Sequence, residues 1–168
     1  MTDVKAAEGQ SCPFCRIVTR SLDAAVLHED EDTLAFLDIT AVTEGHTLVI
    51  PKRHAADLWE IAESDAVAVM RTVHRIAARL RSVLNPPGLT LFQANRPAGW
   101  QDVFHLHVHL VPRRPDDGLH RPWTATPKPL AELEPLRTRL AVTGSPYPAA
   151  ARHPASFTST RSHGGHRP

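Results

Sequence analysis

The chain has 168 residues, room for one compact domain with a hydrophobic core and too few for two ordinary domains. Hydrophobic residues make up 42%, charged residues 22%, and the formal net charge is +1, the composition of a soluble globular protein. Lys and Arg are interleaved with Asp and Glu, without the basic stripe that grips a nucleic-acid backbone, so a nucleic acid polymer is not an expected partner.

Residues 1–11 are polar and are expected to be flexible. Met1 to Glu8 lacks the apolar core of a signal peptide, and no later stretch is apolar over the length of a membrane span, so a cytoplasmic location away from membranes is expected. The only cysteines, Cys12 and Cys15, stand in Cys-Pro-Phe-Cys. That spacing serves metal or redox chemistry more often than a structural disulfide in a reducing compartment. Phe14 to Arg20 then starts a short helix.

Ala25 to His28 and Thr33 to Leu37 read as strands of a hairpin, joined by the acidic turn Glu29-Asp30-Glu31-Asp32. Gly45 precedes His46 to Ile50, a β-branched run that reads as a third strand stopped by Pro51. A helix is predicted from Ser64 and Asp65, with Val67, Met70, Val73, Ile76, Ala77, Leu80 and Leu84 on its apolar face, up to the breaker Asn85-Pro86-Pro87-Gly88. Leu89 to Ala94 and Val103 to Val111 read as the last strands, separated by the polar loop Asn95 to Asp102. The order gives an α+β meander around one long helix. Beyond Pro112 the composition shifts. Pro129 to Leu140 reads as an amphipathic helix, and Thr143 to Pro168, which includes His153, His163 and His166, has the composition of a disordered tail.

The run His105-Leu106-His107-Val108-His109 attracts the most chemistry. On a strand the three histidines share one face, with Phe104, Leu106, Val108 and Leu110 on the buried one. A lone histidine is usually structural, but three aligned imidazoles bring donor and acceptor demands that burial alone does not meet. The outer pair stand about 13 Å apart at roughly 3.3 Å per residue, awkward for one tetrahedral ion. Different histidines are therefore expected to do different work: one near a metal, one attacking, one against a ligand.

With Asn95, Gln101 and Val103, this run resembles the signature of the histidine triad (HIT) superfamily. Phe36-Leu37-Asp38-Ile39, Gly45 to His54 and Cys12-Pro13-Phe14-Cys15 match the same family in order and approximate spacing. The likeness spans roughly residues 12 to 114 and is greatest to the zinc-bearing bacterial members of the Hint branch. It implies a domain over 12–114, and the composition beyond it is that of a C-terminal extension over 115–142 with a short helix and a tail over 143–168. The resemblance also implies a HIT-like antiparallel sheet with one long and one short N-terminal helix, and a homodimer.

By the same resemblance, His107 is the nucleophile that attacks the α-phosphorus of a purine nucleotide, to give a nucleotidyl-histidine that water resolves. A neutral imidazole is nucleophilic near pH 7 when its other nitrogen is tied. His109 would contact phosphate and His46 would move protons near the leaving group. Asn95 and Gln101 would donate to phosphate or leaving-group atoms, although both also suit loops. Phe14, Phe36 and Ile39 match base-pocket positions and would otherwise be core residues. Asp38 matches the ribose-binding carboxylate, a turn or cap role being the alternative. Cys12, Cys15, His54 and His105 match the ligands of a structural zinc, which fits two thiolates and two imidazoles, and no catalytic metal is expected. A redox role for the cysteine pair is the alternative.

Two positions depart from the pattern: Trp100 stands where Gly is common and Asp102 where Ser or Thr is. A carboxylate beside phosphate is unfavourable without a cation, so Asp102 is expected to meet either an ammonium-bearing leaving group or Arg96. Trp100 would cover the pocket or pack. The implied function is hydrolysis of a nucleoside phosphoramidate or related nucleotide. The alternatives are a dinucleoside polyphosphate hydrolase or phosphorylase, a nucleotide-binding module with little activity, and a metallohydrolase. A uridylyltransferase is disfavoured because His109 replaces the glutamine expected there.

Overall fold

The computed structural model describes residues 12–120 and 125–142; the flexible segment expected at 1–11 and the tail expected at 143–168 lie outside them. The chain divides into two units, Met1–Leu119 and His120–Pro168. In the first, the elements run α1 (Pro13–Val18), β1 (Val26–Glu29), β2 (Thr33–Leu37), β3 (Thr47–Pro51), α2 (Glu63–Leu84), β4 (Gly88–Phe92), a 3-10 turn (Pro97–Gly99) and β5 (Val108–Arg113). In the second, α3 (Leu130–Leu140) has Pro135 inside it and no buried residue. Among the described residues no helix is long and apolar enough to cross a membrane.

The five strands form one antiparallel sheet in the order β1-β2-β3-β5-β4. The simple meander therefore breaks after β3: α2 carries the chain past the sheet, and β5 returns between β3 and β4. Period-two alternation gives the sheet two apolar faces. Ala35, Val49, Val108 and Leu110 pack on Val69, Val73, Ile76 and Leu80 of α2. Leu34, Phe36, Leu48 and Ile50 face the other way and pack with Cys12, Phe14, Ile17 and Val18 of the α1 region. The hairpin turn forms because Asp30 Oδ1 accepts from the backbone of Asp32 and Thr33 and from the Thr33 hydroxyl, an Asx turn.

The buried stripe of α2 differs from the expected one at its start. Val67 and Met70 are about half exposed (53% and 52%), while Asp65, Ala68, Val69 and Thr72 are buried. Small side chains let the helix approach the sheet, Thr72 bonds Thr33 hydroxyl to hydroxyl at 2.8 Å, and Asp65 pairs with Arg53 at 3.1 Å. The helix stops as expected, with Asn85 in the left-handed region. Gly45 (φ +82°) is required where it stands, because a Cβ there would run into Leu84 and Leu80 of α2. This close crossing delivers His46 to the opposite face.

The expected strand Val103–Val111 is shorter at its start and reaches Arg113 at its end. Residues 103–107 leave the ladder: the Leu106 N–H donates to the Ala55 carbonyl at 2.7 Å and that of His105 to Val103. Only His109 of the three histidines lies on a strand, so the common strand face expected for them is not observed. Phe104 is 51% exposed and does not join Leu106 in the core. His105 is fully buried, with its ring against the cysteines.

Candidate functional site

Two clusters of polar side chains meet at the α1 face of the sheet. In the first, α1 brings Cys12 and Cys15, the chain beyond β3 brings His54, and the segment before β5 brings His105. Cys15 Sγ lies 3.3 Å from His54 Nδ1 and 3.5 Å from His105 Nδ1; Cys12 Sγ lies 3.5 Å from His105 Nδ1, and the two Nδ1 atoms are 3.3 Å apart. A tetrahedral ion with metal–S near 2.3 Å and metal–N near 2.0–2.1 Å requires N···N of about 3.3 Å and S···N of about 3.5 Å. The four donors match that figure. His105 Nε2 donates to the Pro51 carbonyl at 2.8 Å, which leaves its Nδ1 lone pair facing the cluster. Burial and the adjacent Cys12 push the Cys15 thiol up, the reverse of the lowered thiol of a redox pair. Side-by-side thiolates here need a cation, and the cluster could hold a metal ion.

The second cluster joins Asp38, His46 and His109. Val42 N–H donates to His46 Nδ1 at 3.3 Å, so the ring proton sits on Nε2, which donates to His109 Nδ1 at 2.9 Å. His109 must then carry its own proton on Nε2. Asp38 Oδ2 lies 3.5 Å from His46 Nε2 and 3.9 Å from His109 Nδ1, while Oδ1 accepts from the backbone and hydroxyl of Thr40. Burial tends to raise the Asp38 carboxyl, but the Thr40 hydrogen bonds and the two histidines hold it below its ordinary value. A metal on His46 Nε2 would need the Val42-facing nitrogen to carry the proton. The second group is therefore a hydrogen-bonded chain, unlike the first.

His107 lies between the clusters. Its Nδ1 donates to the carbonyl of His105 at 2.7 Å, leaving Nε2 with a lone pair. Its ring meets Phe14 edge-on at 5.2 Å and His109 at 4.9 Å. Burial keeps all three histidines of the run below the ordinary imidazole value, His105 and His109 down to about 4, against opposing contributions that for His107 come from the His105 carbonyl, Asp38 and Asp102. Burial also lowers His46, and Asp38 partly offsets this.

The geometry brings together His46, His107, His109 and Asp38, but it gives other expected site residues local work. Asn95 Oδ1 accepts from Leu58 N–H and Gln93, and its Nδ2 donates to Gln93. Gln101 donates to the carbonyls of Ala56 and Val103 and accepts from Arg96 N–H; both its amide protons are thus engaged. Phe14 and Phe36 are buried and meet edge-on at 5.5 Å. Ile39 is 97% exposed, so it is no core residue. The expected Arg96–Asp102 pair is not formed: Arg96 Nε bonds buried Asp57 at 2.7 Å and its guanidinium lies over Trp59. Trp100 takes a left-handed conformation (φ 73°) and stacks on Phe92. A bulky residue in this conformation costs roughly 1–2 kcal/mol relative to Gly. Sequence reading did not find Thr40, the Val42 N–H, the Pro51 carbonyl, Gln93 or Phe92; three of these act through backbone atoms or by reciprocal pairing, which no residue type announces.

Residues 19–116 match the family described as HIT domain. The chain belongs to the HIT family. It is 41% identical over 104 residues to the protein hit of Bacillus subtilis, covering 62% of this chain and 72% of that one. It is 32% identical over 127 residues to adenosine 5'-monophosphoramidase hnt1 of Schizosaccharomyces pombe, covering 75% and 92%. A zinc-bound histidine triad family protein from Mycobacterium smegmatis superposes with a TM-score of 0.63 at 40% identity, covering 67% of this chain and 81% of that one. The HIT family includes hydrolases and nucleotide-binding proteins, and this HIT protein has a Cys/His cluster able to hold a metal.

Proposed function

We propose that the protein is a nucleotidyl hydrolase that cleaves purine nucleoside phosphoramidates through a covalent nucleotidyl-His107. The observation that carries this reading is the 2.7 Å hydrogen bond from His107 Nδ1 to the His105 carbonyl, which leaves the Nε2 lone pair for the α-phosphorus. In the first step a P–Nε2 bond forms and the bond to the leaving nitrogen breaks. That nitrogen takes one proton from the His46–His109 pair, protonated once beside the incoming phosphate and supported by Asp38. In the second step water attacks phosphorus, the P–Nε2 bond breaks, and the second water proton returns to the pair. Atoms and charge balance over the cycle.

Asp38 binds the ribose hydroxyls in this reading, with Ile39, Phe14 and Phe36 toward the base. Asn95 and Gln101 hold the phosphate-facing loop and Asp102 lies on the leaving-group side. Cys12, Cys15, His54 and His105 hold a structural zinc whose full set of protein ligands keeps its chemistry away from phosphate. The named activity of the fission-yeast relative and the zinc in the mycobacterial neighbour support these assignments. A cytoplasmic homodimer completes the reading.

Incubation with adenosine 5'-phosphoramidate and acid quench is expected to trap a nucleotide on the wild type and none on His107→Ala. An undiminished adduct on the variant overturns the nucleophile. Faster turnover of a diadenosine polyphosphate would shift the substrate class, and no adduct with either would leave a binding module.

A further inference from the structure

The loop between β4 and β5 carries a feature that transfer to His107 does not use. Four aromatic rings run outward from the nucleophile: His107 to His109 at 4.9 Å, His109 to Phe92 at 5.6 Å, and Phe92 to Trp100 at 6.3 Å with planes 26° apart. Phe92 and His109 are cross-strand partners, so the row is anchored in the sheet. Phe14 makes a separate edge contact with His107 at 5.2 Å. If the nucleoside takes the Phe14 and Phe36 flank, the Phe92–Trp100 flank is left for the group that departs.

Gln101 sets the orientation of its neighbours. Its buried amide ties the loop to Ala56, Val103 and Arg96, so Trp100 and Asp102 on either side are both exposed. Trp100 keeps a left-handed backbone that Gly adopts freely. Strain of this kind at a bulky residue points from geometry to a use for the side chain. Asp102 has no ion pair among the described residues, because Arg96, the cation of its own loop, is committed to Asp57. Its charge is felt at both His107 and His109. A carboxylate exposed on the loop that carries Trp100 repels an anionic substrate unless the substrate brings a positive charge of its own.

We propose that Trp100 and Asp102 form a leaving-group subsite selective for nucleoside 5'-phosphoramidates whose amine has a flat apolar body ending in a second positive charge. This rests on the phosphoramidase reading. The body lies along the Trp100–Phe92 stack, and the distal ammonium faces Asp102. The P–N bond breaks with one proton delivered to the reacting nitrogen as above, and the distal ammonium keeps its protons throughout.

The test uses the full-length, zinc-loaded protein and three adenosine 5'-phosphoramidates: of butylamine, of benzylamine, and of benzylamine with a para-aminomethyl group. Ratios of kcat/KM are compared within each protein, so any overall change in activity cancels. The wild type is expected to prefer the aryl over the alkyl amine by roughly three- to tenfold, and the cationic over the neutral aryl amine by roughly fivefold. Asp102→Asn is expected to erase the charge preference and keep the aryl one. Trp100→Gly, which also relieves the backbone, is expected to erase the aryl preference. Equal turnover of all three amines by the wild type, or preferences that survive both substitutions, overturns the subsite while the His107 adduct still forms. Absence of an adduct with every amine overturns the phosphoramidase reading itself and the subsite with it.

Discussion

His109 is held between His46, His107 and Phe92, and its ring is pushed down to about 4, first by burial and then by the neighbouring histidines. An unfolded histidine titrates near 6.5. Between those values the unfolded chain binds a proton that the folded chain refuses, so stability falls as pH drops from about 6.5 toward 4. A shift of this size is worth about 2 kcal/mol by pH 4.5. His109→Gln removes that group, and its unfolding free energy from urea titrations is expected to fall about 2 kcal/mol less than the wild type's between pH 7 and 4.5. An equal fall in both proteins would mean that His109 titrates as an ordinary histidine. Residue types made the histidines and the Cys/His set legible in the sequence, because few other side chains supply those donors. The partner of each side chain was not legible. Asp38 finds donors in Thr40, two residues on, while Asn95 and Gln101 reach the backbone of Leu58 and Ala56, far away in the chain, partners that no local pattern announces.

At the scale of elements, β2 has the bounds expected from its apolar run after the acidic turn and α2 ends where its breakers stand, since both signals are local. The segment 103–107 alternates in the manner of a strand and is not one. His105 within it is buried with its ring against cysteines some ninety positions away in the chain, and a two-residue period carries no word of such a contact. The same cluster governs α1. Six residues with no side-chain cap do not stay helical alone, so α1 depends on Phe14 in the core and, in the proposed reading, on a zinc that bridges Cys12 and Cys15 to His54 and His105. His105 also holds His107 through its carbonyl. If the proposed zinc occupies the cluster, removing it with a chelator is expected to lower the melting temperature by roughly 10 °C and to speed amide exchange in residues 14–19 far more than in α2. Unchanged exchange in α1 would show that Phe14 packing alone secures it, and Cys15→Ser should reproduce the chelated protein if the cluster is the clasp.

The sheet as a whole has two edges, and they are finished differently. On β1 the register shifts between Val26 and His28, and Glu29 is paired with Arg20 and Lys52. A bulge and charge are the usual guards against edge pairing. On β4 the sequence Gly-Leu-Thr-Leu-Phe has neither charge nor proline, its register with β5 is unbroken, and Leu89 and Leu91 are exposed. A second copy of the same edge, related by a two-fold axis, would continue the antiparallel sheet and cover those leucines. The proposed homodimer is therefore expected to form through β4. The paired substitution Leu89→Lys, Leu91→Lys puts like charges across that axis, while the site face of the strand, where Phe92 lies, is left intact. Light scattering behind size exclusion is expected to give twice the chain mass for the wild type and the single-chain mass for the variant, with the circular dichroism of both alike. A variant that stays dimeric moves the interface elsewhere. A wild type that is monomeric at every concentration overturns the proposed dimer.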